Sequence, residues 1–151
     1  MEIEVKGLSK LTEKLRSVGA NVDAIVDVGL HRGAEKIRKD AMRLIKEQKA
    51  YDTGRLHGSI SVEPIAGGYS VGTNVKYGVF IEYGTGTAGD SDVPHTQRSF
   101  WRYKTDDGKW HTAKAMRPRP FLRPALTNNK NYVVKSVRKA LIDELQGRIT
   151  P

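Results

Sequence analysis

Apolar residues recur with the spacing of a helix face in three stretches of the chain, and each stretch predicts one helix. The first predicts a short helix ended by Gly19, and the second a long helix that Asn21 caps and that runs to about Gln48. The third predicts a C-terminal amphipathic helix ending near Gly147. The apolar positions are, in order, Leu8, Leu11, Leu15 and Val18; Val22, Val26, Gly29, Leu30, Gly33, Ile37, Ala41 and Leu44; and Val134, Val137, Leu141 and Leu145.

Two glycines lie four residues apart on the apolar stripe of the long helix, at Gly29 and Gly33. Each glycine costs about 1 kcal/mol of helix stability relative to alanine. The close crossing of another backbone would justify this cost, and a kinked helix is the alternative.

Alternating polar and apolar residues predict short strands at 2–6, 59–63 and 69–73. Gly67 and Gly68 separate the last two strands and are typical of a hairpin turn. The run 77–83 predicts either a strand or a single helical turn, because periodicity does not distinguish the two in so short a segment.

The chain between 84 and 124 is rich in residues that break regular structure. Glycine, threonine, aspartate and proline at 84–97 predict a loop that is exposed and mobile in the free subunit. A second hairpin is predicted from 100–104 and 109–112, with its turn at 106–108. The segment 117–124 contains three prolines and three arginines, so an extended or turned conformation is expected.

The order of these elements predicts an α+β fold in a single domain of residues 1–151. The long N-terminal helix and the C-terminal helix are expected to pack on one small antiparallel sheet. An exposed loop and hairpin at about 84–116 complete the predicted architecture.

The net charge of +9 is concentrated in the second half of the chain. Residues 1–75 carry 12 basic and 10 acidic residues, a net +2, whereas residues 76–151 carry 14 and 7, a net +7. Such a surplus suits a polyanionic neighbour, either nucleic acid or an acidic protein face, and a charge that only maintains solubility is the alternative.

One stretch without acidic residues is the candidate surface for facing DNA phosphates. Its basic residues are Arg117, Arg119, Arg123, Lys130, Lys135, Arg138 and Lys139. The nearby aromatics Phe100, Trp101, Tyr103 and Trp110 could stack on bases, but packing within the hairpin or anchoring of a protein interface is the preferred interpretation.

Residues with catalytic or ligand chemistry form no specific pattern. The absence of cysteine excludes disulfides, thiol nucleophiles and cysteine-bound zinc or iron–sulfur groups. His31, His57, His95 and His111 lack zinc-ligand spacing, and the glycine-rich run at 84–89 lacks the ending of a phosphate-binding loop. We therefore expect no enzyme, cofactor or metal site. No apolar run approaches the roughly 20 residues of a membrane span, and an apolar signal-peptide core is not found at the N-terminus.

Three segments together resemble a protein family. They are Asp52-Thr53-Gly54-Arg55-Leu56-His57-Gly58-Ser59-Ile60, Tyr77-Gly78-Val79-Phe80-Ile81-Glu82-Tyr83-Gly84-Thr85 and Arg119-Pro120-Phe121-Leu122-Arg123-Pro124-Ala125-Leu126. In this order, with one long helix before and another after, they resemble the head–tail joining family of long-tailed double-stranded-DNA bacteriophages, also called neck, tail-completion or minor tail component proteins. The segment 88–116 matches no motif of that family.

The resemblance implies a structural virion protein that works through its surfaces. It implies a ring of six or twelve copies at the head–tail junction, assembled in the host cytoplasm without catalysis, cofactor or membrane. The implied partners are other copies of the chain, neighbouring head-completion and tail proteins, and DNA passing through the lumen. The alternatives are a tail terminator of the tail tube, a basic nucleic-acid-binding module, and a small nuclease or toxin-like enzyme.

The motif residues have architectural roles in this interpretation. Asp52 or Thr53 would cap a turn in which Gly54 takes a positive φ. Glu82 would bind a buried or intersubunit arginine, either Arg55 or Arg123, with an exposed carboxylate on an edge strand as the alternative. Pro120 and Pro124 would fix the start of the last helix, while Phe121 and Leu122 would fill the core. The remaining motif positions are Leu56, Ser59, Tyr77, Tyr83, Gly84 and Thr85. The loop at 84–97 and the hairpin at 100–112 are expected to contact neighbouring subunits.

Overall fold

The computed structural model of the chain describes residues 9–17, 19–49 and 54–149, with side chains up to residue 147. The predicted strand at 2–6 lies outside the described residues, as do the apolar positions Leu8 and Val18 and the motif residues Asp52 and Thr53.

Helices form most of the described chain, and the predicted helices are confirmed. The Asn21 side chain accepts a hydrogen bond from the Ala24 backbone N–H at 3.2 Å, so it caps the long helix as expected. Gly19 follows the first helix with φ +74°. Within the described ranges the α-helices are α1 (Ser9–Ser17), α2 (Val22–Glu47), α3 (Arg55–Gly58), α4 (Gly78–Tyr83) and α5 (Leu122–Ile149).

The strands form two antiparallel hairpins, which confirms both hairpin predictions. Strands β1 (Ile60–Ile65) and β2 (Gly68–Thr73) pair with Ile60 opposite Thr73. Strands β3 (Phe100–Lys104) and β4 (Trp110–Lys114) form a separate two-stranded sheet. The described residues therefore contain one small sheet packed on the helices and a separate hairpin, and the α+β class is confirmed.

Helices α2 and α5 run antiparallel and share the largest interface of the fold. A Cβ on Gly29 would lie 2.5 Å from the Val137 Cα, and a Cβ on Gly33 would lie 2.8 Å from a Val133 methyl. The two glycines therefore allow the close crossing that their spacing predicts.

The main core lies where α2, α5 and the β1–β2 hairpin meet. Its largest fully buried side chains are Phe121, Leu56 and Ile45. A second cluster around Leu15 and Leu141 packs α1 against the other end of the helix pair. Each fully buried side chain of this size contributes roughly 1.5–3 kcal/mol to folding.

The structure decides one expectation that was left open and corrects two others. Of the strand and the helical turn that the run 77–83 allowed, the helix is found: residues 78–83 form α4, in which Gly78 and Glu82, four positions apart, both face the interior. Helix α5 begins at Leu122, so only residues 117–121 of the proline-rich segment are extended or turned, and the helix continues past Gly147. The loop is only partly exposed, since residues 84–90 are mostly buried or half-buried against the chain that follows the second hairpin.

Among the described residues, no helix combines the length and the apolar character needed to cross a membrane.

Candidate functional site

Glu82 lies at the centre of the contacts that join the motif segments. Its residue surface is only 3% exposed. One carboxylate oxygen accepts the backbone N–H groups of Phe121 at 2.7 Å and Leu122 at 2.9 Å. The other accepts the backbone N–H of Arg123 at 3.0 Å and its Nε at 3.1 Å. Four donors therefore converge on one buried carboxylate.

The position of Glu82 at the start of α5 has a direct electrostatic consequence. The first N–H groups of a helix have no partner within the helix and carry the positive end of its dipole. A carboxylate from another part of the chain satisfies three of them here, which offsets the cost of burying the charge. Glu82 therefore fixes the place and direction in which α5 begins.

Arg123 is the arginine that Glu82 binds, and Arg55 is not. Its guanidinium also donates to Asp90 at 2.8 Å and lies 4.5 Å above the centre of the Tyr83 ring. Burial would lower the pKa of Arg123, but its hydrogen bonds to Asp90 and Glu82 raise the pKa above its ordinary value. The backbone N–H of Asp92 and the Arg123 guanidinium hold the pKa of Asp90 below its ordinary value.

Sequence reasoning missed Asp90, the second carboxylate of this network. Asp90 lies in the loop after α4 and outside all three motifs. The contact connects Asp90 to a residue 33 positions later, so no local pattern in the sequence indicates it.

The second motif ends in an anchor for the β3–β4 hairpin. Gly84 has φ +72°, and a Cβ there would lie 2.5 Å from the Met116 carbonyl oxygen. Thr85 and Met116 exchange backbone hydrogen bonds of 2.8 and 3.0 Å. A Cβ on Gly86 would overlap the Arg98 carbonyl oxygen. These close approaches require glycine and fasten the base of the hairpin next to α4.

The first motif packs against the second through its apolar residue. Gly54 has φ +74°, as predicted, and turns the chain into α3. Leu56 is fully buried, and its Cδ1 lies 3.1 Å from the position that a Cβ on Gly78 would occupy. The Ser59 and Thr73 hydroxyls lie 2.6 Å apart, which ties the start of β1 to the end of β2.

The third motif supplies the partners of both other segments. Phe121 is fully buried in the core that contains Leu56, and Leu122 is half-buried beside it. The Pro120 carbonyl accepts a hydrogen bond from the Gln48 side chain at 2.9 Å, and Pro124 lies in the first turn of α5. The structure thus brings the described parts of all three motifs into one cluster, with Tyr77 at its exposed edge.

The basic residues that were expected to face nucleic acid differ in their contacts and exposure. Arg123 belongs to the Glu82 cluster, Arg119 donates to the Lys49 carbonyl, and Lys139 pairs with Asp143 at 3.0 Å. Arg117, Lys135 and Arg138 are exposed, and Lys130 is half-buried. Lys135, Arg138 and Lys139 share the exposed side of α5.

The histidines do not assemble a metal site. Within the ranges 9–17, 19–49 and 54–149, no group of three histidine, aspartate or glutamate side chains is placed to bind a metal ion. His95 instead contacts the carbonyls of Val93 and Gly86 within its own loop.

Comparison with known protein families matches residues 9–84 to the family described as "Bacteriophage HK97-gp10, putative tail-component". The match includes the described part of the first motif and the second motif as far as Gly84. It does not include the third motif, which contacts Glu82 of the second. No curated protein and no solved structure matches the chain.

Proposed function

The chain belongs to the HK97-gp10-like family of bacteriophage tail components, and on that premise we propose that it is a structural subunit of the head–tail connector. A tail component is a protein of the virion. In the proposed role, copies of the chain form a ring at the junction, after assembly in the host cytoplasm, and join the DNA-filled head to the tail. The ring contains six or twelve copies and works without catalysis or cofactor.

The observation that carries this proposal is that the three motifs pack together, the first against the second through Leu56 and the second onto the third through Glu82. The family match covers the first two motifs, and the resemblance to head–tail joining proteins includes the third. The structure connects the third motif to the second by four hydrogen bonds to one carboxylate. The segments that carry the resemblance therefore form one structural unit, which supports a common origin for the whole domain.

Ring subunits bind one another through two different patches, and a projecting segment is a common way to reach the neighbour. The β3–β4 hairpin and the loop before it fit this description, because the hairpin makes few contacts with the helices and exposes large aromatic side chains. We infer that they contact neighbouring subunits, through the hairpin face that carries Trp101 and Tyr103.

Light scattering coupled to size exclusion tests the ring directly, across a dilution series at two salt concentrations. We expect a closed hexamer or dodecamer, or a monomer that becomes such a ring as its concentration rises, and electron microscopy would show the ring. A strict monomer under every condition would count against the proposal. A ring that caps isolated tail tubes would instead support a tail terminator.

Two tyrosines of equal exposure provide a matched pair for locating the subunit contact. Tyr103 in the hairpin is 45% exposed and Tyr132 on α5 is 44% exposed. We expect Tyr103→Ser to lower the fraction of rings and Tyr132→Ser to leave it unchanged. The opposite result would place the contact on α5. Hydrogen exchange provides a second test of the subunit contact. If residues 84–97 and 100–112 are no better protected in the virion than in the free subunit, they do not contact neighbouring subunits.

A further inference from the structure

We propose that one face of the β3–β4 hairpin binds unpaired nucleotides of a nucleic acid. This hairpin face consists of Phe100, Arg102, Lys104, Trp110, Thr112 and Lys114. The inference concerns a ligand of the chain and is independent of ring formation, so the two can fail separately.

The strand register places these six side chains on the same side of the sheet. Phe100 lies opposite Lys114, Arg102 opposite Thr112, and Lys104 opposite Trp110. All six residues are exposed, and Phe100 and Trp110 are each 61% exposed. Two large aromatic rings and three cations thus share a surface that no described part of the chain covers.

The charge of the hairpin face favours a polyanion. Strands β3 and β4 contain no acidic residue, and Asp106 and Asp107 lie in the turn at the tip. Asp107 is already paired with Lys109 at 3.0 Å. Among the described residues, Arg102, Lys104 and Lys114 form no ion pair with a carboxylate. Phosphate groups would supply the missing countercharge.

The aromatic rings favour bases that are not already stacked in a duplex. Phe100 and Trp110 lie four strand positions apart, a separation of about 13 Å, so each ring can receive its own base. The Arg102 guanidinium lies 5.3 Å from the centre of the Trp110 ring and extends that stacking surface with a positive charge. Cations between two aromatic platforms are typical of surfaces that bind single strands.

A second copy of the chain suits this face less well. The chain carries +9, and several of its exposed carboxylates already pair with their own neighbours, as Glu47 does with Arg43 and Asp143 with Lys139. The contact of a second copy with the hairpin face would therefore bring together two chains that each carry an excess of positive charge. The opposite face, with Trp101 and Tyr103, remains available to a neighbouring subunit.

The two tryptophans of the chain, Trp101 and Trp110, both lie in this hairpin, so tryptophan fluorescence reports on it specifically. The full chain is titrated with an oligothymidine of about 20 nucleotides and with a duplex of equal length. We expect quenching and tighter binding with the single strand. If three phosphates are contacted, raising the salt from about 50 to about 200 mM should weaken binding roughly 20-fold. Absence of quenching, or equal affinity for the duplex, would overturn the proposal.

Variants distinguish the hairpin face from the basic side of α5. Phe100→Ser should weaken oligothymidine binding by about 5- to 100-fold, and the double variant Lys104→Glu and Lys114→Glu by about 10- to 100-fold. The matched control is Lys135→Glu with Arg138→Glu, which makes the same charge change on α5. Circular dichroism verifies that each variant is folded.

Two results with these variants would overturn the proposal. One is a control pair that loses binding while the hairpin variants keep it. The other is a set of hairpin variants that lose the ring but bind oligothymidine unchanged, which would assign the face to a protein partner.

Discussion

Replacing Glu82 by glutamine should destabilise the protein strongly, although the two side chains have nearly the same shape. The carboxylate accepts four hydrogen bonds at the start of α5. An amide keeps one oxygen acceptor and turns an NH₂ group toward the remaining donors. Glutamine therefore leaves about two N–H groups without an acceptor, at least one of them at the helix start, in a site that is only 3% exposed.

The size of the effect follows from those lost acceptors. Each buried N–H without a partner costs about 1–3 kcal/mol, so two cost roughly 2–6 kcal/mol, and structural relaxation favours the lower half of that range. Arg123 adds little, because its side chain is 37% exposed and water screens its charge. For a chain of this length, a loss of about 3 kcal/mol lowers Tm by roughly 6–12 °C.

Urea unfolding followed by circular dichroism measures this change, and hydrogen exchange shows whether the first turn of α5 opens. Glu63→Gln is the matched control, because Glu63 is an exposed carboxylate on β1. The control should change the free energy of unfolding by less than about 0.5 kcal/mol. If Glu82→Gln loses no more than Glu63→Gln, the carboxylate does not stabilise the start of α5 and our reasoning is wrong.

Three further predictions concern the helix crossing at Gly29, the carboxylate of Asp40 and the hairpin anchor at Gly84. Gly29→Ala should lower the free energy of unfolding by about 2 kcal/mol or more, because the new Cβ meets the backbone of α5. Gly147→Ala, with open space around the new Cβ, should raise it by up to about 1 kcal/mol. Urea unfolding measures both variants, and equal effects would refute the close crossing of α2 and α5. Burial raises the pKa of Asp40, but hydrogen bonds from Asn129 and Lys36 outweigh it and lower the pKa below its ordinary value of 3.8. That stabilisation is present above the ordinary value and is lost as the pH falls through the lowered pKa, so Asp40→Asn should flatten the acid branch of a stability–pH curve, and an unchanged branch would contradict this. Gly84→Ala should detach the hairpin base while the helices remain, which would appear as a change in tryptophan fluorescence at constant helical circular dichroism; unchanged fluorescence would show that the anchor tolerates a Cβ.

Local patterns in the sequence determined the elements whose causes lie within a few residues. The helix stripes, the Asn21 cap and both hairpins are predicted correctly, although the first turn lies at 66–67 and not at 67–68, since periodicity and turn chemistry act over a few residues of chain. The glycine pair at 29 and 33 indicated a close crossing, because a helix tolerates such residues only where something approaches.

Tertiary contacts decided what short segments and charged residues do. Residues 78–83 became a helix because Glu82 reaches the start of α5 about 40 residues later, and no pattern within so short a run contains that information. The same contact selected Arg123 over Arg55 as the partner of Glu82. The sequence alone determined the first helix, the two long helices and both hairpins. Packing between distant segments decided which charges are buried and which remain available to a partner, because desolvation and pairing depend on neighbours that only the folded chain brings together.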